Sequence, residues 1–497
     1  MRANQILGGL GWSVLSFGVN AAAQLVIAAI LARQLAPAVF GAIAMATIAT
    51  RFASYFGQMG AMQTLIQSPT IDARLVTATL AVSVSASTFL YALLVLAAPA
   101  FAWYFKSPDL VSILIVLGLT LPIGALATPP LAMLRRAGRF RGTSLIEVAG
   151  FVLGYGATGI ACALSGLGVW SIVFATLAQQ VLVTVCSYAM AKVPLQWSLE
   201  KASIKRVWGV GSRYSLIGFL EFMWGTIETL FIGRMLGQTT LGLFNRAQML
   251  TNLPVELAVG AVTKVLFPAL SAMQGDRPRL ADGFVVMLLC AGGLSVAVAG
   301  TFVAAAGDIV HLVLGPRWAE AVPLVQILAL AVPSAFSYVS CGVALDSIGA
   351  AGPKLRFQTW AFALKVPIVL VAGMAGPAAI AGAIAICELA RLLMGARLVT
   401  QLLDVKAAAV VRVFSAHMVL GIAVTAFVLG ARLTCEAAGF GLLPRVLIEL
   451  TAGVCASGFV LSAIVLSGLR VAPIERFELL GRLHHAFGQA MRSIIRS

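Results

Sequence analysis

Ionisable side chains gather where an otherwise apolar chain can least accommodate them. Between Ser212 and Lys264 two long apolar runs meet at Gly237-Gln-Thr-Thr-Leu-Gly242. The first carries Arg213, Glu221, Glu228 and Arg234, and the second carries Asn245, Arg246, Asn252, Glu256 and Lys264. A charge at the centre of a bilayer costs roughly 3 kcal/mol on insertion scales, so such groups face a protein interior or a water-filled cavity. Helical spacing places Glu221 and Glu228 on one face, and Asn245, Asn252 and Glu256 on another. The set is that of a polar cavity inside a membrane protein. Static pairing of Glu221 with Arg213, or of Glu256 with Lys264, is the competing reading of the same residues.

The elements that must position these groups are membrane helices. Sixty per cent of the 497 residues are apolar, 10% are charged, and the mean hydropathy is +1.00. That lies outside the soluble globular class. About 30 Å of hydrocarbon takes roughly 20 helical residues to cross, and such runs follow one another from end to end. An all-α polytopic membrane protein with 14 transmembrane helices is expected. The first span covers about 8–33, too long an apolar run for a signal peptide despite the cleavage-like Asn20-Ala-Ala-Ala-Gln24. The segment from Lys192 to Gly211 and the tail from Ile474 onward are expected to lie as amphipathic stretches on the membrane surface.

Charge tests the count. With the N-terminus inside, 23 Lys and Arg fall on inner segments and 6 on outer ones, and the bias never inverts along the chain. Both termini are therefore expected in the cytoplasm. The same rule accounts for the net charge of +16 without invoking nucleic acid. Seven cysteines, six of them inside apolar runs, form no disulfide framework, and the four histidines show no metal-ligand spacing. No metal and no cofactor are expected.

The chain repeats itself. Ala32-Arg33-Gln-Leu35 through Phe40-Gly41 aligns with Gly233-Arg234-Met-Leu236 through Leu241-Gly242, and Leu121-Pro122 and Leu134…Gly138 align with Val332-Pro333 and Leu345…Gly349 in the same order. Two six-helix lobes, residues 1–199 and 200–405, are expected in parallel about a pseudo-twofold axis along the membrane normal. Two further helices and a cytoplasmic tail helix occupy 406–497. Such repeats surround a central cavity in alternating-access transporters. Arg33 and Arg234 sit at helix C-terminal ends, where a cation offsets the dipole. Glu388 and Arg391 read as an internal ion pair, and Glu147 as either a cavity residue or a buried protonated acid.

Ile232-Gly-Arg-Met-Leu-Gly237, Leu241-Gly-Leu-Phe-Asn-Arg-Ala247, Leu253-Pro254, Val265-Leu-Phe-Pro-Ala-Leu-Ser271 and Leu314-Gly-Pro-Arg-Trp318 resemble segments of the Wzx-type polysaccharide flippases. These form the polysaccharide transporter family within the multidrug/oligosaccharidyl-lipid/polysaccharide (MOP) superfamily. The resemblance covers nearly the whole chain. It implies translocation of undecaprenyl-pyrophosphate-linked oligosaccharide repeat units across the bacterial inner membrane, coupled to an ion gradient (H+ or Na+), for exopolysaccharide or O-antigen assembly. Polysaccharide polymerase or export proteins are the implied protein partners. A lipid-linked peptidoglycan precursor flippase and a multidrug exporter share the architecture. A membrane polymerase or ligase is the alternative of another class, but no Asp-x-Asp pair or Ser/His/Asp cluster is present, and no enzyme is expected.

Against that job, burying an anionic head midway across a membrane requires fixed cations and donors. Arg51, Arg213, Arg246, Lys264, Asn245 and Asn252 are the candidate substrate-binding residues. Glu221, Glu228 and Glu256 are the ion-coupling candidates. Where relatives often carry Asp in the seventh span, this chain has Glu228.

Overall fold

Long apolar runs have one local way to satisfy backbone N–H and C=O groups away from water, and every regular element among the described residues is helical. The computed structural model describes residues 3–57, 61–68, 72–191, 193–194, 196, 222–272 and 276–466. Of these, the side chains of 3–17, 63, 67, 140, 255, 257–272, 351 and 459–466 lie outside the description. Arg213, Glu221, all of the amphipathic segment between Lys192 and Gly211 except residues 193, 194 and 196, and the tail from Ile474 therefore fall outside the described residues, as does the side chain of Lys264.

The helices are α1 (Ala3–Gln34), α2 (Pro37–Gly57), α3 (Ala61–Gln67), α4 (Ala73–Phe105), α5 (Leu110–Gly118), α6 (Thr120–Arg136), α7 (Phe140–Ala149), α8 (Thr158–Leu164) and α9 (Val169–Met190). Then come α10 (222–235 as described), α11 (Gly237–Ala272), α12 (Arg277–Val313), α13 (Val322–Ser347), α14 (Ala351–Met374), α15 (Pro377–Leu403), α16 (Ala407–Ala437) and α17 (Leu442–Leu466). Among the described residues, 10 helical stretches are long and apolar enough to cross a membrane. Their ends are chemically marked. Asp72 caps α4, its Oδ1 accepting from Leu75 N at 2.9 Å, and Lys106 closes the same helix in the left-handed region at φ 54°.

The chain divides into two compact units, Met1–Asn245 with Val313–Arg317, and Arg246–Leu312 with Trp318–Ser497. In the first unit, α7 and α8 join through a π-helical stretch, Gly150–Ala157, that the sequence did not announce. Its glycines make room for a neighbour: a Cβ on Gly154 would meet the Cα of Gln179, on α9, at 2.5 Å. Small residues at such contacts let membrane helices pack backbone to backbone.

The basic linker after α6 is more than a topology signal. Arg136 donates through Nη1 to the carbonyls of Leu65, Ile66 and Ser68, closing the C-terminal end of α3, and Arg139 donates to the Met190 carbonyl at the end of α9. The last four carbonyls of a helix have no intrahelical partner and give such guanidiniums theirs. Glu147 is not the buried protonated acid that is one of the two readings of it. It pairs with Arg135 of this linker at 3.1 Å, and both side chains are exposed.

The second unit is built around α12, the most deeply buried of the spans. The ring of His417, on α16, fills the notch left by Gly292, where a Cβ would lie 2.1 Å from its Cε1, and His417 Nε2 lies 3.2 Å from the Leu289 carbonyl oxygen. Gly300 faces Thr425 of α16, and Gly453 of α17 faces Thr301. Small-residue notches thus help seat the α16–α17 hairpin on α12, beside an apolar cluster in which Val410 and Val413 of α16 join Phe284 and Leu288 of α12.

Candidate functional site

Helix α11 carries the polar residues that the spacing singled out. Its buried side is largely apolar, with Leu243, Phe244, Ala247, Leu250 and Leu253 beside Thr251. Asn245, Arg246 and Asn252 are half-buried, and Glu256 is exposed. The face defined by Asn245, Asn252 and Glu256 is therefore the more open side of the helix. The division between the two units falls on this helix, after Asn245.

Within the first unit, Glu228 on α10 is 1% exposed, among Phe222, Trp224 and Ile227, which are also buried. Phe222 packs its ring against Tyr55 of α2 with centroids 5.2 Å apart. One turn back on α2, Arg51 is exposed, with Phe52 exposed beside it. In the second unit Arg246 is half-buried, its Nη1 3.1 Å from the sulfur of Met249 on the same helix. Arg51, Glu228 and Asn245 thus share one unit, and Arg246, Asn252 and Glu256 the other.

The two repeated turns meet each other. A Cβ on Gly41 would sit 1.8 Å from the carbonyl oxygen of Gln238, and a Cβ on Gly242 would sit 1.9 Å from the carbonyl oxygen of Pro37. Pro37 and Gln238 are equivalent positions of the sequence repeat, as are Gly41 and Gly242. The contact is therefore reciprocal. Only glycine allows it, because backbone lies against backbone at both positions.

The arginines that precede the turns act differently from each other. Arg234 donates to the carbonyl of Tyr104 at 2.8 Å and lies 5.8 and 5.6 Å from the ring centroids of Trp103 and Tyr104. It ties α10 to the end of α4. Arg33 is exposed, its aliphatic stem passing Gly315. Gln238 Nε2 donates to Ser107 Oγ and completes the junction.

Sequence spacing missed a second polar assembly, in the other unit. Asp308 of α12, Arg432 and Glu436 of α16, and Arg445 and Glu449 of α17 converge at one end of the α12–α16–α17 packing. Arg445 Nη2 bonds Asp308 Oδ1; Arg432 Nε lies 3.7 Å from Asp308 Oδ2 and 3.0 Å from Glu436 Oε1; Arg445 Nη1 lies 3.6 Å from Glu436 Oε1. Arg432 Nη1 also donates to the Ala304 carbonyl at 3.0 Å. No two of these five residues signal a site by themselves, because three separate helices supply them. The only hint in the sequence was that Asp308, Arg432 and Arg445 all fall near outer span ends.

Glu388 and Arg391 do pair, at 3.7 Å, and Arg391 stacks over the ring of Tyr338 at 3.9 Å from its centroid. This is an ion pair capped by an aromatic face. Among the described residues no group of His, Cys, Asp or Glu has the arrangement of a metal site.

Residues 30–323 match a family described as polysaccharide biosynthesis protein, a stretch that contains every substrate and coupling candidate from Arg51 to Lys264. The chain is similar to the succinoglycan biosynthesis transport protein ExoT of Rhizobium meliloti, with 25% identity over 66% of this chain and 67% of that protein. It is also similar to the lipopolysaccharide biosynthesis protein WzxC of Escherichia coli K12, with 21% identity over 74% of this chain and 76% of that one. Among solved structures, the lipid II flippase MurJ in an inward closed conformation superposes with a TM-score of 0.71 at 11% identity, over 92% of this chain and 99% of that one. At that identity the likeness is one of fold. The helical membrane architecture, the repeated junction and a family match over more than half of the length lead to one conclusion: the chain belongs to the polysaccharide biosynthesis protein family.

Proposed function

We propose that this protein is a flippase that moves polyprenyl-pyrophosphate-linked oligosaccharide repeat units from the inner to the outer leaflet of the bacterial inner membrane by alternating access. The family match over 30–323 carries the reading, since it spans the whole set of polar residues that the job requires. Arg51, Arg213, Arg246 and Lys264 hold the pyrophosphate, and Asn245 and Asn252 meet the first sugars. Glu221, Glu228 and Glu256 neutralise these cations when the cavity is empty and release them when a coupling ion, H+ or Na+, binds. Fixed cations and amides substitute for the water that an anionic head leaves behind.

The architecture proposed for this cycle has fourteen spans, both termini inside, and two six-helix lobes with α16 and α17 added. The reciprocal contact of Gly41 with Gln238 and of Gly242 with Pro37 supports the two-fold relation. On the charge-derived topology this junction lies on the outer side, and it must part for substrate to leave outward. The openness of the Asn245–Asn252–Glu256 face and the burial of Glu228 are what a polar cavity with a coupling acid beside it requires.

The test is reconstitution in lipid vesicles with a defined polyprenyl-pyrophosphate oligosaccharide, comparing wild type with Arg51→Ala, Arg246→Ala and Glu228→Gln. Transport falls at least tenfold in each while the purified protein keeps its helicity and thermal midpoint. Full transport by all three removes the cavity assignment. Transport of a lipid-linked peptidoglycan precursor or of a cationic drug instead assigns the protein to a different substrate class of the same fold.

A further inference from the structure

The Asp308–Arg432–Glu436–Arg445–Glu449 assembly has a deficit in its own chemistry. Glu449 is fully buried, and neither of its carboxylate oxygens has a hydrogen-bond partner among the described residues. Its carboxyl nonetheless lies within hydrogen-bonding reach of the Asp308 carboxyl, with Arg432 and Arg445 acting on it from α16 and α17. Asp308 Oδ2 also lacks a hydrogen-bond donor. Two acceptors face each other, and only a hydrogen between them makes the contact a bond.

Charge leads to the same place. Three carboxyls meet two guanidiniums, leaving one negative charge in excess, and the excess sits at the buried end. The side chain of Glu436 is 39% exposed, those of Arg432 and Arg445 are 28% and 21% exposed, that of Asp308 is 5%, and Glu449 is 0%. An uncompensated buried carboxylate is strongly destabilising, and like charges sharing one site do not both ionise. A metal cation would meet two guanidiniums already within 4 Å of Asp308 and be repelled by them. A proton would not.

We infer that Asp308 and Glu449 form a proton-binding site that holds one shared hydrogen, reached from the exposed end of the assembly through Glu436, and that its occupancy fastens the α16–α17 hairpin to α12. Glu449 lies one helical turn from Gly453, whose notch receives Thr301 of α12, so loss of the proton loads repulsion onto the face that seats the hairpin. This site is separate from the polar face of α11 and does not depend on what the protein transports.

Full-length protein in lipid nanodiscs tests it by infrared difference spectroscopy and thermal unfolding across pH. Wild type shows a protonated-carboxyl stretch that disappears as pH rises, together with a fall in unfolding midpoint over the same interval. Glu449→Gln, which keeps a donor and removes the titration, lacks that band and holds its midpoint level through the interval. A band that persists in Glu449→Gln, or a midpoint that falls alike in both proteins, overturns the inference. Saturable stabilisation of wild type by Na+ at fixed pH, absent in Glu449→Gln, overturns it in favour of a cation site. If Glu449→Gln fails to fold, the wild-type spectrum decides, and absence of any titrating protonated carboxyl refutes the site.

Discussion

Carboxylates and guanidiniums occur together in two regions of this molecule, in very different settings. On α10 and α11 the polar residues recur at helical spacings along single elements, and on α11 they occupy the more open face. At the end of α12 the same chemistry is assembled from three helices and closes over a buried acid. The first arrangement is proposed to meet a ligand. The second uses them on one another. Polar groups that satisfy one another across three helices dock those helices.

Removing one guanidinium from the closed assembly breaks that contrast most directly. Arg445→Ala leaves Asp308 and Glu449 facing each other with one cation fewer, and a loss of about 3 kcal/mol or more follows. Thermal unfolding in detergent shows a large drop in midpoint, partly restored in Arg445→Lys. Arg51→Ala, at an exposed position, changes stability by only about 0.5 kcal/mol while abolishing transport. Equal midpoint shifts in the two variants would erase the distinction.

Next in size is the reciprocal junction. Gly242→Val places methyl groups against the Pro37 carbonyl, where even a Cβ has no room, and overpacking of this kind costs about 1–3 kcal/mol. Gly382 on α15, with nothing within 4 Å of its Cβ position, is the control: Gly382→Ala is neutral or stabilising by up to about 1 kcal/mol. The comparison is read from paired melting curves.

Arg234→Ala removes one hydrogen bond to the Tyr104 carbonyl and two ring contacts, for a loss of about 1 kcal/mol. Smallest is Arg135→Ala. Its pair with Glu147 is exposed on both sides, and such pairs contribute about 0–1 kcal/mol. A midpoint shift in Arg135→Ala as large as that of Arg445→Ala would mean that exposure is not what separates the two regions.

Much of the fold could be read in one dimension. Apolar run length predicted the helices: spans read at about 76–104, 169–191 and 378–400 are observed as α4 (Ala73–Phe105), α9 (Val169–Met190) and α15 (Pro377–Leu403). The Arg33/Arg234 repeat was legible in the sequence. Its meaning stayed hidden, because a glycine in a repeat does not reveal that its partner is the other copy. Glu147 shows the limit from the other side. An acid at the start of a span reads as cavity or core, and only the path of the α6–α7 linker brought Arg135 beside it.

What the sequence determined by itself is the class of molecule. Hydrocarbon excludes unpaired backbone groups, so length and hydropathy dictate helices, and the asymmetry of Lys and Arg gives their expected orientation. It also determined which residues one helix can present together, since a period of 3.6 is a local property. Tertiary structure decided which charges satisfy one another. The Asp308–Arg445 pair joins residues from α12 and α17, and no local periodicity encodes an interaction whose energy depends on burial and on the arrival of a third helix.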